Sequence, residues 1–387
     1  MKKEDITGLI VYLLIIALAL VFGFTILRGH SADSFVNGYG AGYYAIYIAG
    51  SVLVGLLFNS IMYELAHILG AKAGHYTIIS VNILGLCFFK EGDKKKVRFR
   101  SFDGLTGETK IVPKEGFVEK ANPSPYLLFG SLFFALEAIA VMIPFTLLYK
   151  SDDYGLRDIA YALLTIGVIG LVILIYNILP LHIDSMTDGY RLTMVGNAKN
   201  KIAFNELLRV EYEMQQGKQV EVKLFDGITN FTADLNLNRV YALLDERKFK
   251  EAEEILDNII AAKENISEKV YIRARAQKIY INLFTKTLEE AREYYDKEVP
   301  VSERREISND VSMASIRAYL LMSGLLDKSR SECIIALNNV IRAFKRTPKN
   351  RQQTEVTLFN EALEKVIAAH PDWELEGYRL ETKEEEK

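Results

Sequence analysis

Four stretches of the chain are almost free of charge over lengths that can cross a bilayer. Gly8–Leu27 (GLIVYLLIIALALVFGFTIL) has no charged residue in 20 positions, and about 20 apolar residues span the hydrocarbon core. Ala41–Met62 is a second run, Tyr126–Tyr149 a third interrupted only by Glu137, and Ile159–Leu181 a fourth. Lys2 and Lys3 precede the first run as in a signal peptide. Its core is too long for one and no clean small-residue cleavage site follows, so the pattern predicts a retained anchor. The expectation is four transmembrane helices.

Between the second and third runs the pattern changes period. Lys96–Phe102 alternates basic with apolar residues, Asp103–Gly107 is rich in turn formers, and Glu108–Val112 resumes the alternation. This predicts a β-hairpin within an insertion at about 80–122. Val81–Phe89 is apolar but too short to span, and is expected to enter or skirt the bilayer surface. A strand edge there could hold an unwound peptide by β-addition, or its lysines could touch anionic lipid.

After Met194 the composition turns soluble. Asn200–Gln215 has the spacing of an amphipathic helix, and Gln219–Thr232 reads as a strand-like connector. From Leu235 the pattern is helical pairs, such as Val240–Leu244 followed by Phe249–Leu256, with further second helices at Leu288–Tyr295 and Ile334–Ile341. Ala252, Ala291 and Ala336 recur at intervals of roughly 40 residues, near the 34-residue tetratricopeptide period. The expected fold is mainly α: a four-helix membrane domain (1–195) with a short β-hairpin insertion, then a soluble helical repeat domain. The boundaries are a linker at 196–234, helical repeats resembling tetratricopeptide repeats at 235–375, and a charged tail at 376–387 ending in Lys383–Lys387.

Charge sets the orientation. Lys90, Lys94, Lys95, Lys96, Arg98 and Arg100 crowd the loop between the second and third runs. Basic loops stay cytoplasmic, so both termini are expected on that side of an integral protein, with the plasma membrane the expected location. Cys87 and Cys333 are too few for a disulfide framework, which suits a reducing compartment. A net charge of -3 and the absence of a basic, aromatic-interleaved patch give no reason to expect a nucleic-acid partner.

Candidate chemistry lies at the ends of two apolar runs. Tyr63-Glu64-Leu65-Ala66-His67 has the spacing of the zinc-protease helix motif H-E-x-x-H, with tyrosine at the first histidine. In that motif positions i and i+4 share a helix face and grip zinc, while the glutamate handles the proton of the bound water. Tyr176-Asn177-Ile178-Leu179-Pro180 closes the fourth run, and Thr187-Asp188-Gly189-Tyr190 follows. The second and fourth runs cross in the same direction, so His67 and Asp188 should reach the same membrane face. Plainer readings stand beside this one. Glu64 and His67 could be interfacial polar residues, Asn177–Pro180 a helix terminator, and Thr187 or Asp188 an N-cap for a helix through Val195. Tyr63 could be an interfacial aromatic or a weak ligand. His75 and His182 could be loop histidines or substitute ligands.

These residues together resemble the site-2-protease-like M50 membrane metallopeptidases, over roughly residues 40–195. Glu64, His67, Asn177, Pro180, Asp188 and Gly189 match the family's H-E-x-x-H, N-x-x-P and aspartate-glycine pattern, and Ala71-Lys72 and Gly74 resemble the stretch after its first motif. The resemblance implies His67 and Asp188 as zinc ligands and Glu64 as catalytic base, with Asn177, Pro180 and Gly189 in substrate or structural roles. Tyr63 departs from the pattern at the first-ligand position, and the gap from Pro180 to Asp188 is longer than the compact family form. The expected function is a catalytically impaired homologue that binds membrane peptides or transmembrane helices, with zinc weak or absent and a protein partner for the helical repeats. The alternative is an active zinc endopeptidase cutting a small membrane peptide near the cytoplasmic face.

Overall fold

The computed structural model describes residues 41–91, 94–100, 107–181 and 186–381, with isolated positions of the first apolar run. The rest of that run, residues 101–106 with most of the expected turn, His182 and the tail Lys383–Lys387 lie outside the described residues. Within them, three helices are long and apolar enough to cross a membrane. They are α1 (Ala41–Ala73), α2 (Pro123–Leu148) and α3 (Tyr154–Ile178). Helix α1 runs past the end of its apolar run at Met62 and carries the Tyr63–His67 motif on to Ala73. Its 33 residues rise about 50 Å at 1.5 Å per residue, more than the ~30 Å hydrocarbon core.

Local chemistry sets the other ends. Asn122 caps α2 by accepting from the Ser124 backbone N–H, with Pro123 at the first helical position. Asp153 caps α3 by accepting from Gly155 and Leu156. At its C-terminus Leu179, the residue before Pro180, is extended, as the proline requires. Much of the outer surface of these helices is exposed leucine, isoleucine and valine, including Ile46, Leu53, Leu136, Ile139 and Leu147, as expected where lipid rather than protein covers them.

The insertion is a four-stranded antiparallel sheet of β1 (Tyr76–Ile83), β2 (Leu86–Glu91), β3 (Lys94–Phe99) and β4 (Gly107–Pro113), in the order β3-β2-β1-β4. This corrects two expectations. Val81–Phe89 is not a separate apolar segment: it forms the end of β1, the turn after it and the start of β2. The expected hairpin partners do not pair with each other: β3 pairs with β2, and β4 with β1. The reason is the two-residue turn Leu84-Gly85, with φ of 47° and 93°, which closes β1 onto β2 with Ile83 opposite Leu86. Positive φ at both central residues marks a type I′ hairpin turn. The Asn82 side chain braces it, accepting from Gly85 N–H and donating to the Arg100 carbonyl.

After α3 come α4 (Asp188–Val195) and α5 (Ala198–Gln215). The chain divides into two compact units at Asn205/Glu206, inside α5. The second unit holds eight further α-helices among the described residues: α6 (Asn230–Asp245), α7 (Phe249–Ala261), α8 (Glu268–Thr285), α9 (Leu288–Glu298), α10 (Val301–Asn309), α11 (Met313–Leu321), α12 (Arg330–Phe344) and α13 (Lys349–Ala369). The expected strand-like connector is not a strand: residues 219–226 lack regular structure and α6 already begins at Asn230. Phe225 instead pairs both backbone groups with the Asn236 side chain, which satisfies them without a sheet. Helices α6, α7 and α8 pack in succession, α8 on α11, and α11 on α12 and α13. Their buried faces form one continuous core.

Candidate functional site

Tyr63, Glu64 and His67 lie on α1, and Asp188 opens α4; all four are buried. Asp188 is brought in by the exit from α3. The Thr187 hydroxyl donates to the Leu179 carbonyl (2.6 Å) and accepts from Leu181 N–H (3.1 Å). It also caps α4 by accepting from Tyr190 N–H. Gly189 is required by close approach: a Cβ there would lie 2.1 Å from the Ile178 carbonyl oxygen. The chain leaving α3 is thus folded back so that Asp188 faces α1.

There Asp188 meets both halves of the motif. His67 Nε2 lies 3.3 Å from Asp188 Oδ2, and the Tyr63 hydroxyl donates to the same oxygen at 2.5 Å. Segments more than a hundred residues apart therefore converge on one carboxylate oxygen. Burial pushes the Asp188 carboxyl up, but the charge and hydrogen bond of His67, then Arg191 and the Tyr63 hydroxyl, outweigh it and hold the group below its ordinary value. The Tyr63 ring is fixed edge-on to His67 (centroids 4.4 Å apart) and stacked on Phe134 (5.4 Å). Gly130 of α2 makes room for it, since a Cβ there would lie 2.4 Å from the ring.

Glu64 points to a different partner. Its Oε2 accepts from the Thr109 hydroxyl of β4 at 2.5 Å, and a Cβ on Gly107 would lie 3.0 Å from Oε1. Tyr126 of α2 donates to the Thr109 carbonyl (2.8 Å) and lays its ring against His67 (4.8 Å). Thr109, Gly107, Tyr126 and Gly130 are the residues that sequence reasoning missed. The alternation at Glu108–Val112 marks a strand, but nothing in it says that Thr109 faces a helix.

The remaining candidates are not brought into contact with this cluster. Asn177 donates to the Ile173 carbonyl one turn back on its own helix (3.0 Å), and Pro180 serves the turn out of α3. His75 is exposed at the end of α1 and stacks on Phe117 (5.2 Å). Zinc in a catalytic site takes three protein ligands and leaves one position open. The cluster offers one imidazole and one carboxylate. A phenol stands third, with its proton committed to Asp188. That donor set does not fit a three-ligand zinc centre. No group of three or more His, Cys, Asp or Glu placed to hold a metal occurs among the described residues.

The second unit has a groove of about 710 Å³. Its lining includes Asn238 and Tyr241 of α6, Lys269, Arg273 and Gln277 of α8, and Arg351 of α13.

The chain matches no protein-family model, no curated protein and no solved structure at a significant level.

Proposed function

We propose that this chain is a site-2-protease-like membrane protein that binds membrane peptides or transmembrane helices and does not hydrolyse them. One observation carries the reading: the Tyr63 hydroxyl and His67 Nε2 address the same Asp188 oxygen, so hydrogen bonds within the protein use the lone pairs a metal would need. Activating water takes either a metal ion or a base aimed at it, and Glu64 is turned toward Thr109. What remains is a buried polar site among apolar helices. Polar groups at such depth mark places where another polar group is received. Strand β4, whose sole sheet partner among the described strands is β1, lies beside it and supports β-addition of an unwound guest segment. The groove of the helical unit suits a protein partner, with Tyr241, Lys269 and Arg273 along its lining.

Complementation of a strain lacking the chain tests this reading. Glu64→Ala is expected to act like wild type, because a binding scaffold needs no general base. Loss of a general base costs an enzyme about 10²–10⁴ in rate, so a stable, inserted but inactive Glu64→Ala protein would refute the scaffold.

The basic residues of the insertion support a cytoplasmic side for it and for the second unit in this reading. A reporter cysteine at Val97 is expected to resist impermeant thiol reagents in intact cells and to react after lysis. The background is low: Cys87 and Cys333 are both buried, and burial pushes the Cys333 thiol up to about 12. Labelling in intact cells would reverse the topology.

A further inference from the structure

A second polar cluster lies between the spans, one helical turn deeper than Tyr63. Asn59 precedes Tyr63 by one turn on α1, and both Asn59 and Glu137 of α2 are buried. The Asn59 amide nitrogen donates to the Gly55 carbonyl of its own helix (2.8 Å) and to the Ile166 carbonyl of α3 (2.9 Å). These two bonds fix which way the amide points, because a flipped group would set its oxygen against two carbonyls. Asn59 Oδ1 therefore faces away from both.

It faces the space beside Gly170 of α3, which Glu137 enters from the other side. A Cβ at Gly170 would lie 2.6 Å from Glu137 Oε2 and 2.9 Å from Asn59 Oδ1. Neither Asn59 Oδ1 nor either Glu137 oxygen has a hydrogen-bond partner. An amide oxygen and an ionised carboxylate are both acceptors, so as they stand their lone pairs oppose each other in hydrocarbon. An unpaired carboxylate at that depth is also costly in itself. One proton relieves both problems.

We propose that Glu137 is an intramembrane proton-binding site, whose protonated carboxyl donates to Asn59 Oδ1 and latches α2 to α1, with Asn59 in turn tied to α3. The charged groups on the facing elements are engaged elsewhere: Glu64 of α1 with Thr109, His67 of α1 with Asp188 of α4, and Arg191 lies further along α4. On α1 the titratable side chain one turn away is Tyr63, already bonded to Asp188. Between Ala160 and Ile178, α3 carries only Tyr161 and Tyr176, and Arg157 and Asp158 sit at its far end. The latch touches the first site through Phe134. Its ring lies 3.1 Å from the Gly170 Cβ position and stacks on Tyr63, so separating α2 from α1 at Glu137 moves the surface that supports Tyr63. This inference does not depend on whether the protein hydrolyses peptides.

A proton held more tightly by the folded state stabilises it at low pH, and that contribution is lost as pH rises through the folded-state titration. Thermal melting of the full chain in detergent reads this. Wild type is expected to lose several degrees between mildly acidic and alkaline pH. Glu137→Gln, whose amide also donates to Asn59 Oδ1 but does not titrate, is expected to match acidic wild type and stay flat across that range. Equal pH dependence in both proteins would overturn the proposal. So would a melting point that falls when sodium is replaced by a bulky organic cation at constant ionic strength, since the occupant would then be a metal cation. Infrared spectra need no Glu137 variant. With labelled glutamate carboxyls in the Glu64→Gln background, a protonated-carboxyl carbonyl band is expected at neutral pH, and its absence would also overturn the proposal.

Discussion

Tyr63→His is expected to turn a protein that purifies with little zinc into one that holds about one zinc ion per chain. The substitution places imidazoles at i and i+4 on α1, and His67 and Asp188 already face each other at 3.3 Å. It also removes the phenol that donates to Asp188 Oδ2, freeing that oxygen as a ligand. Loss of a group that merely orients a ligand costs about 10–100-fold in metal affinity. Gain of a whole ligand should therefore raise affinity by at least about 10²-fold. Metal analysis after dialysis against dilute zinc measures it. Equal zinc in the variant and wild type would mean that the backbone does not hold the three positions in coordination geometry.

Arg317→Ala is expected to destabilise the helical unit by about 3–5 kcal/mol, the usual cost of removing one partner from a buried ion pair. Arg317 is fully buried on α11 and Glu355 is 2% exposed on α13. The Arg317 guanidinium pairs with Glu355, donates to Gln277 Oε1 at 3.1 Å and lies 5.0 Å from the Tyr280 ring centroid. Alanine would leave the Glu355 carboxyl in the core without its partner. Arg317→Met combined with Glu355→Leu removes both charges and is expected to fall within about 2 kcal/mol of wild type or above it. Trp373, the single tryptophan, stacks on His370 at 3.9 Å in this unit and reports its unfolding in urea. A small effect of Arg317→Ala, or a large loss in the double variant, would show that the pair matters through shape rather than charge.

The site was more legible in the sequence than the sheet beside it. Tyr63-Glu64-Leu65-Ala66-His67 fixes its own geometry because helical spacing places residues 63 and 67 on one face. The expectation that the second and fourth runs cross in the same direction put Asp188 at that end, and the structure brings Asp188 to His67. The helical pairs of the second unit were legible from their apolar period, and Thr287 with Glu290 even signals the start of α9 as a capping box. Strand pairing was not legible, because it turns on Leu84-Gly85. Leucine at a position with φ of 47° carries none of the Asn-Gly signature that announces such a turn. Thr109 and Gly107 were hidden for the same reason, since their contact with Glu64 depends on where the sheet is laid against α1. Glu137 stood out as the one charged residue in its apolar run, but only the packing around Gly170 shows that it opposes Asn59.

The zinc content of wild-type protein, purified without chelators from cells grown with ample zinc, tests the central claim most directly. His67→Ala and Asp188→Ala serve as controls for adventitious metal. The account predicts far less than one zinc per chain and no difference between wild type and the two controls. One zinc per wild-type chain, lost in both controls, would contradict it and make Tyr63 part of a working metal centre.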